Sequence, residues 1–128
     1  MSSHWRNNLL LVTGALVVAA SIAHGFAGWP ENRAALVAAG AADDLVEGLG
    51  AGWLFGSATM AAFGVIAILT ALARRRGRSA PASTIYCMAA AFIAFGIGSC
   101  IGFHVGPHFI AFIVLGTMLA IGAPAPGA

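Results

Sequence analysis

Residues 79–128 form a block of 50 positions without a single Asp, Glu, Lys or Arg, and residues 7–30 and 48–73 are two further runs of the same kind. A soluble domain normally carries about 25% charged residues. This chain of 128 residues is 8% charged and 60% hydrophobic, with a mean hydropathy of +0.93. So short a chain cannot bury that much apolar surface in its own interior, so its solvent must be lipid. One span takes roughly 20 residues, and the last block therefore holds two, broken at Gly106-Pro107 within "GFHVGPHF" (102–109). The expectation is an all-α, single-domain protein (1–128) with four transmembrane helices at about 8–28, 45–73, 84–104 and 107–123. The second is long enough to tilt and the fourth is short. The first run has the Arg6 and Ser21-Ile22-Ala23 features of a secretory leader, but its apolar stretch continues to Trp29, so it reads as a retained helix.

Arginine sets the expected orientation. "ARRRGRS" places Arg74, Arg75, Arg76 and Arg78 between the second and third helices, and lysine is absent. Short arginine-rich loops stay cytoplasmic, which puts both termini on the cytoplasmic side of a bacterial inner membrane. Arg6 agrees and Arg33, in the first outer loop, dissents. The basic balance is thus topogenic and does not point to nucleic acid. All four acids (Glu31, Asp43, Asp44, Glu47) and three of the four histidines (His24, His104, His108) fall at the outer end. Trp29 and Trp53 flank that level, and Trp5 marks the inner interface.

Asp44 and Glu47 fit a D-x-x-E capping box at the start of the second helix, where carboxylates meet the positive end of the helix dipole. Gly48, Gly52 and Gly56 then recur every four residues, a flat ridge that admits another backbone closely in lipid; Gly98 and Gly102 repeat the device on the third helix. The second helix is expected at the packing centre, with a partner in this chain or another. "GWPENRAALVAAG" reads as a short interfacial helix between helices one and two, with Pro30 in its first turn and Gly40 at its end. Ser57 and Thr59 are expected to bond to their own helix's carbonyls. Cys87 and Cys100, thirteen positions apart, lie about 220° apart on one helix and cannot bridge each other, which suggests buried thiols.

The candidate site is His24, His104 and His108 with Asp43 and Glu47. Imidazole and carboxylate together suit a transition metal, and two histidines on different helices suit a haem. The plainer account treats the histidines as tolerated interfacial groups and the acids as caps. His24 lies slightly inside the boundary, where an ionisable group normally faces the bundle and has a partner; Asp43 or Glu47 is the expected one. No catalytic serine arrangement, phosphate loop or dinucleotide fingerprint is present. The inner half carries no acid, which weighs against an alternating-access transporter.

A first helix ending in His24-x-x-x-Gly28-Trp29, a glycine-bearing second helix with Trp53-x-x-x-Ser57, and an apolar hairpin resemble small uncharacterised four-helix bacterial membrane proteins. That resemblance covers most of the chain and implies a four-helix inner-membrane fold without an activity. Some such proteins carry histidine directly after the tryptophan, where this chain has Leu54. The paired Arg and Glu residues of microsomal glutathione-transferase-like proteins and the buried acids of sterol-isomerase-like ones are missing. The leading functional expectation is a non-catalytic membrane subunit that docks to other transmembrane subunits or to itself, with a metal, haem or small-ligand site at its outer face. The alternatives are a small redox enzyme or subunit acting on a lipid-soluble substrate such as a quinone, and an oligomeric channel or carrier.

Overall fold

The computed structural model describes residues 3–102 and 108–124. These residues form α1 (Ser3–Ala23), a five-residue π-helical segment (His24–Gly28), α2 (Trp29–Ala38), α3 (Asp43–Arg75), α4 (Ala82–Gly102) and α5 (His108–Gly122). Three helical stretches are long and apolar enough to cross a membrane: His4–Ala38, Asp43–Arg75 and Ala82–Gly102. α5 is apolar but has 15 residues, about 22 Å at the α-helical rise and short of a hydrocarbon core of about 30 Å.

The largest departure from the sequence reading is at Pro30. Instead of ending one helix and opening a separate interfacial one, the chain stays helical from His4 to Ala38 over 35 residues. Proline inside an α-helix removes a donor and crowds the carbonyl four residues back. Here the turn before it is a π-turn, which places more residues in each turn and shifts the hydrogen-bond ladder ahead of Pro30. Gly28 and Trp29 accordingly keep right-handed helical dihedrals (φ −66°, ψ −43° and φ −65°, ψ −48°). The helix stops at Ala38, and Gly40 at φ 74° turns the chain into α3. The Asp44–Glu47 box does not form: Ala42 is the N-cap without a side-chain bond, and Asp44 Oδ1 accepts from the Leu45 N–H at 2.9 Å.

α1 packs along α3, α4 along α5, and α1 joins the two pairs through α5. The helices thus lie in the spatial order α3, α1, α5, α4, and the backbones of α3 and α4, though joined by the arginine turn, stay apart and meet through side chains such as Phe63 and Phe92. Close packing in lipid has no hydrophobic drive and depends on how near the backbones come. The α1–α3 contact is closest at Gly14 and Gly64: a Cβ on either would sit 2.7–2.8 Å from the other's carbonyl oxygen. Between α4 and α5, a Cβ at Gly96 would sit 3.0 Å from the Phe109 carbonyl oxygen and one at Gly116 2.8 Å from that of Ala89. The expected ridge does not serve here. Among the described residues, a Cβ at Gly48, Gly52, Gly56, Gly98 or Gly102 would meet nothing within 4 Å. Leu10, Val17, Met60, Ala67, Ile85, Phe92 and Leu119 belong to the buried core.

The arginine end is tied shut by hydrogen bonds. Arg6 Nε donates to the Ile121 carbonyl at 3.0 Å, and Arg74 Nη1 donates to the Gly122 carbonyl at 3.3 Å. Both acceptors are last-turn carbonyls of α5, without intrahelical donors, at the negative end of its dipole. Arg75 donates to Asn8 Oδ1. Both cysteines are free, as their spacing requires, but Cys87 is exposed rather than buried.

Candidate functional site

The π-turn exists where two helices exchange tryptophans. Trp53 of α3 lies against Gly28, where a Cβ would come within 3.0 Å of its ring, and Trp29 lies against Gly50, where a Cβ would come within 2.5 Å. Each indole therefore occupies the space that a side chain on the facing helix would need. The two rings are 6.2 Å apart and tilted by 41°. Trp53 Nε1 donates to the His24 carbonyl at 2.7 Å. An indole N–H left unpaired at this depth would cost several kcal/mol. Gly25 allows Ser57 equally close, 3.2 Å from a built Cβ. Ser57 and Thr59 donate to Trp53 and Phe55 carbonyls one turn back, as expected.

The His24 imidazole stacks flat on the Trp53 indole, with ring centres 4.2 Å apart and planes 6° from parallel. Its partner is thus an aromatic face and not the expected carboxylate. Asp43 and Glu47 do share a face of α3, but they border another hollow, with Trp29 and Arg33. Among the described residues no group of three His, Cys, Asp or Glu side chains comes together to hold a metal ion. His104 lies outside the described residues, and for His108 only the backbone, as the first residue of α5, is described.

Beyond the stack, His24 forms one wall of a cleft of about 250 Å³ on the side where α3 and α4 part. Phe55, Met60 and Phe63 line it from α3, Phe92 and Phe95 from α4, and Phe112 from α5. The rings touch one another: Phe63 and Phe92 centres are 6.1 Å apart, Phe92 and Phe112 5.7 Å, and Phe95 meets Phe112 edge to face at 4.9 Å. A second hollow, with Phe63, Ser83, Thr84 and Cys87 on its walls, continues the opening toward the arginine end. Among the described residues of the cleft's lining, only His24 and Thr59 bring a polar side chain, and the Thr59 proton is already donated to its own helix. The imidazole is therefore the group on this lining able to exchange a proton with an occupant, while the Thr59 oxygen can only accept a hydrogen bond.

The sequence singled out His24 and Trp53-x-x-x-Ser57 but did not pair them. The readable signal was reciprocal, one tryptophan and one facing glycine on each helix: Trp29 with Gly28, and Trp53 with Gly50. No family model, curated protein or solved structure matches this chain.

Proposed function

We propose that the chain is a non-catalytic integral membrane subunit, a four-helix inner-membrane bundle with both termini cytoplasmic. It docks another transmembrane helix along Gly48, Gly52 and Gly56 of α3, and its first partner is a second copy of itself. One observation carries the reading: among the described residues, nothing lies within 4 Å of a Cβ at any of the three glycines of this every-fourth-residue ridge. In lipid, small-residue ridges lower the distance at which two backbones pack, and that proximity drives association. A helix that kept this ridge toward lipid alone would gain nothing from it. A flat stripe is also self-complementary, which suits the two-fold contact that most homo-oligomers use. Leu45 and Leu49, 52% and 46% exposed, flank the ridge and supply further contact.

Energy transfer between donor- and acceptor-tagged copies, diluted stepwise in vesicles, tests this reading. The wild type is expected to associate at protein-to-lipid ratios where Gly52→Leu is monomeric, a shift of tenfold or more, while Gly52→Leu keeps its helical signal. Equal dilution curves for the two proteins would refute it.

The cleft favours a second reading, in which the subunit holds a lipid-soluble ring compound such as a quinone. Seven apolar side chains with one threonine and one imidazole give a ring-sized, largely apolar volume, the usual make-up of a small-molecule site. Gly56 borders both surfaces, so a helix on the ridge would roof the outer end of the cleft. A short-chain quinone should quench tryptophan emission saturably and at least fivefold more weakly in Phe92→Ala; linear, variant-independent quenching would eliminate the site.

A further inference from the structure

At the end opposite the His24 stack, a polar hollow of about 270 Å³ lies between the start of α1, the arginine turn and the residues after α5, with Asn7, Arg74, Arg78 and Ser79 on its walls. Three features set it apart from an ordinary solvated loop. Five of the six arginines (Arg6, Arg74, Arg75, Arg76, Arg78) gather at this end, and all four acids belong to the stretch 31–47 at the other. No Asp or Glu side chain is placed beside them among the described residues. Asn7 is only 6% exposed, and its Oδ1 has no hydrogen-bond partner among the described residues. Gly77, at φ 70°, turns the chain so that Arg78 and Ser79 come back toward α1.

A buried acceptor without a donor is costly, and guanidinium groups attract phosphate oxygens, which they bind in pairs. The hollow therefore asks for a molecule that is anionic at one point and a hydroxyl donor at another. We propose that it binds a phosphodiester bearing a hydroxyl, as found in the headgroup of a glycerol-type anionic phospholipid. The phosphate oxygens accept from Arg74, Arg78 and the Ser79 hydroxyl, and a headgroup hydroxyl donates to Asn7 Oδ1. Because Arg74 also holds the Gly122 carbonyl, the bound headgroup stitches the α3–α4 turn to the end of α5. This site is independent of the glycine ridge and of the cleft, and its outcome leaves both of those readings standing.

The test is lipid binding to the full chain in a neutral detergent, with short-chain phosphatidylglycerol, phosphatidylmethanol and phosphatidylcholine as probes and native mass spectrometry as the readout. Phosphatidylglycerol is expected to saturate one site at least tenfold more tightly than phosphatidylcholine. Phosphatidylmethanol, equally charged but without headgroup hydroxyls, should bind severalfold more weakly than phosphatidylglycerol. Arg78→Gln, which removes no hydrogen bond within the protein, should lower phosphatidylglycerol affinity about tenfold. Arg76→Gln, in the same turn but off the hollow, should change it less than twofold. Asn7→Leu should erase the preference for phosphatidylglycerol over phosphatidylmethanol. Equal losses in Arg78→Gln and Arg76→Gln would mean diffuse charge attraction and overturn the site. Displacement of the lipid by millimolar inorganic phosphate would overturn the lipid as its occupant.

Discussion

Replacing Gly64 by alanine inserts one methyl group where two backbones meet. The new Cβ would stand 2.7 Å from the Gly14 carbonyl oxygen, 2.7 Å from Val18 Cγ2 and 2.9 Å from the Val18 nitrogen, against ordinary contact from 3.4 Å. Two of these neighbours are backbone atoms, so no rotamer change relieves them. α1 and α3 must separate by about 0.7 Å, which forfeits a quarter or more of each dispersion contact along the seam. Overpacking of this kind costs about 1–3 kcal/mol, and the backbone location puts the expected value near 3. Gly52→Ala is the matched control, because it makes the same chemical change on the same helix with no described residue within 4 Å of the new methyl. Both substitutions bring the same gain in helix propensity, about 0.8–1 kcal/mol. Their difference therefore isolates the steric cost. In mixed micelles dilute enough to keep the protein monomeric, sodium dodecyl sulfate titrations followed by far-ultraviolet circular dichroism should place Gly64→Ala about 3 kcal/mol below Gly52→Ala. Gly52→Ala should be at least as stable as the wild type. Equal stabilities would refute the assignment of Gly14–Gly64 as the inner seam and of the α3 ridge as an outer surface.

Trp53→Phe keeps a ring beside Gly28 and His24 but removes the donor to the His24 carbonyl, so it should cost about 1 kcal/mol, measured in the same titration. His24→Ala should shift the Trp53 emission maximum, because the ring stacked 4.2 Å away is lost, while changing the helical signal by little. Arg6→Gln removes the donor to the Ile121 carbonyl, and hydrogen exchange in the last turn of α5 should rise about tenfold, with α3 unaffected.

The helical class, the arginine turn and the opposite placement of acids and arginines were legible because charge in a lipid solvent is costly and its positions are few. The ends of α3 and α4 fell within about 2 residues of their expected bounds, since Asp43, Arg75 and Pro81 punctuate the apolar runs. Pro30 misled because its usual helix-ending effect was overridden by a π-turn, and the π-turn depends on a tertiary partner, Trp53, whose hydrogen bond to the His24 carbonyl no local window contains. The glycines misled in a different way. Periodicity drew attention to Gly48, Gly52 and Gly56, while the helices actually touch at Gly14 and at Gly64, which continues that register only after the break at Met60. His24 was legible as a bundle-facing group, but its partner was not, because an indole face carries no charge to mark it. Asp43 and Glu47 were correctly placed on one face, though that face borders Trp29 and Arg33 rather than His24.

The claim on which the function rests is that the outward ridge of α3 is an interface between copies. Disulfide trapping in native membranes tests it, with Cys87 and Cys100 replaced by serine and single cysteines placed at Gly52 or Leu54. These positions are two residues apart, about 200° around the helix, at nearly the same depth. Gly52→Cys is expected to give a covalent dimer within minutes of mild oxidation, and Leu54→Cys little or none. Trapping that is equal at the two positions, or absent from Gly52→Cys, would contradict the account.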